Sequence, residues 1–369
     1  MSIEPIVMPK WGLAMQEGMV AAWHIEPGME IAVGQEIMDI ETSKIANVYE
    51  SPVAGTFRKI VVENGGTVPV GALLGVVAPI SVSDADVEAY VQDFIDNFNW
   101  DAAAGETGPE PEIVDAGHVR LRFLKMGDAA GMPLIFIHGF GGDLNSWMFN
   151  QGALAEKATT YALDLPGHGG STKAVGAGDL NVFSQAVIAF MDAQNIEKAH
   201  LVGHSMGGAT ALAVGCQAAD RAASLTLIAP AGLGIEINMD YINGFIEQKR
   251  AKKLRLVLEM LVADTGAITT EMIEEVIKFK RVDGVMDALQ TLRNGLIPEG
   301  EQGMDLLAAL STLTMPVQVI WGRDDKILPV RHANSLPDDV TLTIYEATGH
   351  MPHMEQAMEV NELIGNMLG

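Results

Sequence analysis

Between residues 18 and 78 the chain repeats itself. Shifted by 37 positions, Gly18–Glu41 lies over Gly55–Ala78: Trp23 meets Ile60, Ile25 meets Val62, Glu26 meets Glu63, Gly28 meets Gly65, Val33 meets Val70, Gly34 meets Gly71 and Ile40 meets Val77. Each copy alternates short apolar runs with Gly or Pro, the pattern of strands and tight turns. The expectation is that each half forms a small antiparallel sheet. Neither half can bury its apolar face alone, so the two should close as a flattened β-barrel or sandwich. The segment between them contains Glu41-Thr42-Ser43-Lys44, which places Lys44 at an exposed hairpin tip. An amine there can be acylated by a modifying enzyme and then sweep a wide arc.

With Met8-Pro9-Lys10, Glu17-Gly18 and Ser51-Pro52-Val53-Ala54-Gly55 around Glu41-Thr42-Ser43-Lys44, residues 3–79 resemble the lipoyl domain of 2-oxo acid dehydrogenase complexes. The resemblance implies lipoate on Lys44. Biotinyl domains share the fold but usually set their lysine between two methionines; here Ser43 and Ile45 flank it, which favours lipoate.

A chain of 369 residues has room for two or three domains. Its net charge of −25 excludes a general affinity for nucleic acid or an anionic membrane surface. The acid is concentrated early, with 17 Asp and Glu against four Lys and Arg in residues 1–110. The lone Cys216 rules out an intramolecular disulfide and fits a reducing cytoplasm. The start, Met1-Ser2-Ile3-Glu4, has no basic region ahead of an apolar run, and no stretch reads as a bilayer span. A soluble cytoplasmic protein is expected.

Residues 1–79 are thus expected as one domain and 113–369 as another, joined by an acidic linker over 80–112. Within the linker Val87, Tyr90, Val91, Phe94, Ile95 and Phe98 recur at helical spacing, which predicts a short amphipathic helix, either within a flexible tether or packed on the second domain. Subunit-binding domains common at this place in lipoyl-bearing acyltransferases have no counterpart in so short a segment.

From about His118 the chain alternates apolar runs with helical stretches, the rhythm of a mostly parallel sheet. Strands are expected at Leu134–His138, Thr160–Asp164, His200–Gly203, Leu225–Ile228, Val317–Trp321 and Thr341–Tyr345. Gly203-His204-Ser205-Met206-Gly207 follows one strand and precedes an Ala-rich segment, as a nucleophile elbow does; glycines flank it because the turn leaves no room for side chains beside a strained serine. His138-Gly139-Phe140-Gly141-Gly142 stands where an oxyanion loop belongs, making the Phe140 and Met206 N–H groups the candidate donors. Asp325, favoured over its neighbour Asp324, ends a late strand, and His350 follows. A serine hydroxyl needs a base, and the base needs a carboxylate to fix its tautomer. The order Ser205, Asp325, His350 resembles that of α/β-hydrolases over residues 112–369. His168, His204 and His353 read as packing or hydrogen-bonding residues. Metal, dinucleotide and nucleoside-triphosphate motifs are absent from the sequence.

Residues 235–313 read as a helical cap over Ser205, and here the charge reverses. Lys249, Arg250, Lys252, Lys253 and Arg255 cluster, able to hold the phosphates of coenzyme A, to attract the acidic first domain, or simply to form a solvated face.

The fusion of a lipoyl domain to an α/β-hydrolase fold resembles the acyltransferase (E2) family of acetoin-cleaving multienzyme systems. That resemblance implies transfer of an acetyl group from lipoate on Lys44 to coenzyme A as cosubstrate. It further implies a thiamine-diphosphate E1 that cleaves acetoin, a dihydrolipoamide dehydrogenase E3, a lipoate-attaching enzyme and a homo-oligomeric core. The alternative reading is a hydrolase of an ester, thioester or C–C bond, merely tethered to a complex by its lipoyl domain.

Overall fold

The computed structural model describes residues 3–9, 15–42, 46–98 and 109–368. The chain divides into two compact units, Met1–Gly108 with Thr269–Met272, and Pro109–Ile268 with Ile273–Gly369.

The first unit contains β1 (Glu4–Val7), β2 (Glu17–Trp23), β3 (Glu30–Ile31), β4 (Glu36–Glu41), β5 (Ala46–Glu50), β6 (Gly55–Ile60), β7 (Thr67–Pro69) and β8 (Leu73–Val77). They form two four-stranded sheets, ordered β1-β8-β6-β3 and β5-β4-β2-β7. The repeat is therefore not one sheet per half, as expected, but two interleaved copies: the first gives β2 and β4 to one sheet and β3 to the other, and the second gives β6 and β8 to that other sheet and β7 to the first. Under the 37-residue shift β2, β3 and β4 become β6, β7 and β8, and the two sheet orders map onto one another. Interleaving lets each copy bury its apolar face against strands of the other on both sides. Ile6, Phe57, Leu74 and Val77 from one sheet meet Val20, Ile37, Met38 and Ile40 from the other, all at most 2 % exposed. The repeat also holds in the backbone: Gly34 and Gly71 sit at φ +79° and +82°, in turns where only glycine is free of strain.

The linker helix exists, as α1 (Asp84–Asn97), capped by the Ser83 side chain on Asp86 N–H. It neither floats in a tether nor belongs to the second unit. Val87 and Val91 pack on Leu73, Val76 and Ala78, the outer face of β8, with Tyr90, Phe94 and Ile95 alongside. Arg58 and Lys59 of β6 pair with Asp84 and Glu88 of the helix. The unbroken apolar run of β8, Leu-Leu-Gly-Val-Val, is apolar on both faces and buried throughout, so its outer face needed a cover.

The second unit is an eight-stranded sheet ordered β16-β15-β14-β13-β11-β12-β10-β9. Its strands are β9 (Glu112–Ala116), β10 (Val119–Met126), β11 (Leu134–Ile137), β12 (Thr160–Leu163), β13 (Ala199–His204), β14 (Ala222–Ile228), β15 (Val317–Gly322) and β16 (Thr341–Tyr345). From β12 to β16 the neighbours run parallel, while β10 is antiparallel to both β12 and β9. The opening hairpin was not expected: β9 lies at an edge with mostly exposed residues, Glu-Ile-Val-Asp-Ala, and carries little apolar signal. The helices are α2 (Gln151–Ala155), α3 (Leu180–Ala193), α4 (Met206–Gln217), α5 (Met239–Glu247), α6 (Ala251–Leu258), α7 (Thr270–Phe279), α8 (Val285–Leu296), α9 (Leu307–Leu310), α10 (Pro352–Glu355) and α11 (Ala357–Asn366). Helix α4 is buried from Met206 to Gly215, and its Ala and Gly side chains let it lie close on β13 and β14. The stretch between β14 and β15 is helical, α5 to α9. No helix among the described residues is long and apolar enough to cross a membrane.

Candidate active site

Strand β13 is buried along its whole length and ends at Ser205, which holds φ 54° and ψ −115° before α4 begins at Met206. A non-glycine residue at positive φ is strained, and tertiary bonds hold this one in place. Its N–H donates to Ile228 O at 2.9 Å, and its carbonyl accepts from Ala209 at 3.1 Å and Ala231 at 3.0 Å. The flanking glycines are set by close approach. A Cβ on Gly203 would lie 2.2 Å from Gly207 O, and one on Gly207 would lie 2.0 Å from Ile137 O.

His350 Nδ1 lies 2.7 Å from Asp325 Oδ2. A carboxylate only accepts, so Nδ1 carries the proton and Nε2 is left as the basic nitrogen. Asp325, whose side chain is fully buried, also accepts Trp321 Nε1–H at 3.0 Å on Oδ2, and the N–H groups of Ile327 at 2.8 Å and Leu328 at 2.9 Å on Oδ1. Four donors fix its orientation. Asp324 is exposed and makes no such contact.

Ser205 and His350 line one cavity with Phe140, Met206, Ala231, Ile237 and other mostly apolar residues; its empty volume is about 550 Å³, open in part to solvent. The amide hydrogens of Phe140 and Met206 have no partner among the described residues. The loop of Phe140 is held by two buried neutral histidines. His138 Nδ1–H donates to Gly139 O at 2.7 Å while Nε2 accepts Leu165 N–H at 3.0 Å. His168 Nδ1–H donates to Pro166 O at 3.0 Å while Nε2 accepts Gly141 N–H at 3.1 Å. Burial pushes His138 down to about 4 and His168 well below the usual histidine range, so both keep one donor and one acceptor at neutral pH. His204 donates through Nε2 to His350 O at 2.8 Å, and its ring lies between those of His350 and His353, at 4.7 and 4.5 Å. These histidines support the site; the supporting role of His138 was not read from the sequence. The signal was its place before Gly139, at the end of a buried strand.

The basic residues divide. Lys249, Arg250, Lys252 and Lys253 are exposed on α6 and the residues leading into it, and none lines the cavity. Arg255 is half-buried and donates to Ile268 O at 2.6 Å, so it is engaged in holding the fold. Buried Lys280 bonds the Phe245 and Gln248 carbonyls at the end of α5. It thereby seats Phe245, whose ring lies 6.0 Å from that of Phe140. Lys44 and Ser43 lie outside the described residues. The strands on either side of them pair antiparallel, Glu41 opposite Ala46. Among the described residues no group of three His, Cys, Asp or Glu could hold a metal ion.

Fold and site together define a serine-elbow member of the α/β class, and the comparisons agree: the alpha/beta hydrolase fold family matches residues 132–357, and the biotin/lipoyl family of biotin-requiring enzymes matches residues 4–77. A variant of the meta-cleavage product hydrolase CumD superposes with a TM-score of 0.63 at 23% identity, covering 69% of this chain and 97% of that one, which shows the shared fold. Over its full length the chain is 42% identical to the dihydrolipoyllysine-residue acetyltransferase component of the acetoin cleaving system of Cupriavidus necator, spanning 100% of this chain and 98% of that protein. The component of the same name from Pseudomonas putida is 44% identical over 98% of this chain and 97% of its own length. The chain belongs to this family of acyltransferases.

Proposed function

We propose that the chain moves an acetyl group from a lipoyl arm on Lys44 to coenzyme A within an acetoin-cleaving complex, through Ser205, His350 and Asp325. The observation that carries this reading is the hydrogen-bonded Asp325–His350 pair sharing an apolar cavity with a strained elbow serine and two unpartnered amides. Lys44 falls in the four-residue connection closed by the Glu41–Ala46 pair, a position that fits covalent modification. Lipoate bound there supplies an acyl thioester at the end of a long arm. Lys249, Arg250, Lys252 and Lys253, exposed and of one sign, are the candidate contacts for the phosphates of coenzyme A.

Nε2 of His350 takes the hydroxyl proton as Ser205 Oγ bonds to the thioester carbonyl carbon. The Phe140 and Met206 N–H groups hold the oxyanion, the C–S bond breaks, and His350 returns the proton to the departing thiolate. The thiol of coenzyme A then gives its proton to Nε2 and attacks the acetyl-serine. The C–O bond breaks and Ser205 recovers its proton. The apolar cavity walls discourage water as a competing acceptor. An acetoin-cleaving E1 would supply the acetyl group and a dihydrolipoamide dehydrogenase E3 would reoxidise the arm.

The test follows acetyl-dihydrolipoamide and acetate together, from acetyl-CoA and dihydrolipoamide. Thioester forming with little acetate, and falling by about 10³-fold or more in Ser205→Ala, is expected. Acetate as the main product would make the second unit a hydrolase, and transfer surviving in Ser205→Ala would exclude the acetyl-serine.

A further inference from the structure

The loop carrying His350 is bound to the segment Leu261–Ala263, which lies between β14 and β15 and supplies Leu261 to the cavity wall. His350 N–H donates to Leu261 O at 2.7 Å. Glu355, at the end of α10, turns its carboxylate back across the same gap. Oε1 accepts Gly349 N–H at 2.9 Å, and Oε2 accepts Ala263 N–H at 2.7 Å. The two backbones are in close contact: a Cβ on Gly349 would lie 2.7 Å from the Val262 carbonyl carbon and 2.8 Å from Ala263 N. Only glycine fits there, and one carboxylate bridges the segments.

Glu355 is an unusual group to keep there. It forms no ion pair among the described residues. Burial pushes its carboxyl up, the Ala263, Gly349 and Met351 N–H groups draw it back, and Asp325 adds a like charge. A largely buried carboxylate without a cation is costly and persists where its hydrogen bonds are needed. An apolar side chain would fill the space but leave the Gly349 and Ala263 amides without partners.

We propose that Glu355 is a positioning residue for acyl transfer, its carboxylate locking the Leu261–Ala263 wall of the cavity to the loop of His350 so that wall and base keep one geometry. The inference rests on the triad reading above. It follows from the demands of the chemistry: a base must hold its place to a fraction of an ångström, and groups locked by surrounding hydrogen bonds do so.

Glu355→Gln in the full chain tests it. The amide keeps the size and one acceptor, but turns an NH₂ group against one of the two N–H donors. Acetyl transfer from acetyl-CoA to dihydrolipoamide is measured per folded molecule, with amide hydrogen exchange at Gly349 and Leu261–Ala263. The expected result is a kcat lowered about ten-fold or more with KM for dihydrolipoamide within about two-fold, and faster exchange at Gly349 and Ala263. Unchanged exchange would overturn the strap, and faster exchange with wild-type kcat would overturn its part in catalysis. Should the Gln variant not fold, Glu355→Asp, which keeps the charge but shortens the reach, is read by the same two measurements and the same outcomes. Ser205→Ala separates the two readings. If it abolishes transfer while Glu355→Gln is normal, only the strap fails; if it retains transfer, the triad reading and this role fall together.

Discussion

The polar side chains of the site act mainly on backbone. Asp325 shares its four hydrogen bonds between one imidazole, one indole and two amides, so its charge and its orientation have separate supports. Asp325→Asn keeps the shape but offers an NH₂ group to donors and spoils the tautomer of His350. Turnover should fall about 10³–10⁴-fold with little change in the thermal midpoint, which single-turnover kinetics beside a melting curve will check. The buried histidines set a second expectation. Burial holds His353 down to about 3 and His138 to about 4, whereas an unfolded histidine titrates near 6.5. The native state refuses protons that the unfolded chain accepts. The associated stability is fully present above about pH 6.5 and drains as pH falls toward those values, about 2 kcal/mol per histidine by pH 5. Melts at pH 7 and pH 5 should therefore differ by about 2 kcal/mol less in His353→Phe than in the parent chain. That Asp325 would meet His350, and that His350 would share a cavity with Ser205, was legible because each stands at a fixed offset from an apolar strand. Glu355 and His138 were not, because their partners, Ala263 and Leu165, are distant in sequence and are contacted through main-chain atoms that any residue carries.

The elements teach a related lesson through α1. Its apolar spacing announced a buried stripe but not what would cover it, and the polar residues around it suggested a tether. The partner was β8, whose outward Leu73 and Val76 required a cover that the strand's continuous apolar run already implied. The repeat was similarly readable as two copies, while the way they interleave depends on pairing between strands, which periodicity does not encode. Edge strand β9 left almost no mark, since a strand exposed on one face and one edge needs few apolar residues. Val91 lies at the centre of the α1 contact, 5 % exposed. Val91→Asp should place an unpaired charge there and cost about 2–4 kcal/mol of local stability, seen as faster hydrogen exchange along Asp84–Asn97 with the exchange of β13 unchanged.

For the whole molecule the proposal couples a carrier and a catalyst on one chain, and the two can be separated by experiment. Lys44→Arg keeps the charge but removes the amine that a lipoate-attaching enzyme would modify. It should abolish acetyl transfer when the acetyl group is delivered through the chain's own arm, while leaving transfer between acetyl-CoA and free dihydrolipoamide within about two-fold of the parent. Mass spectrometry of the intact chain, with and without the substitution, establishes whether the modification is there.

The interleaved repeat has a geometric corollary for such an arm. The 37-residue shift carries β8 back onto β4, and β1 holds beside β8 the place in the sheet that β5 holds beside β4, so the β4–β5 connection, in which Lys44 falls, has as its image the place where Glu4 faces Val77. No turn closes that image, because there the polypeptide enters and leaves the domain. A duplicated fold of this kind has two equivalent poles, one left open for the chain ends and one closed by a short loop. The same symmetry that packs the sandwich thus puts the moorings at one pole and the connection of Lys44, the proposed cargo hook, at the other.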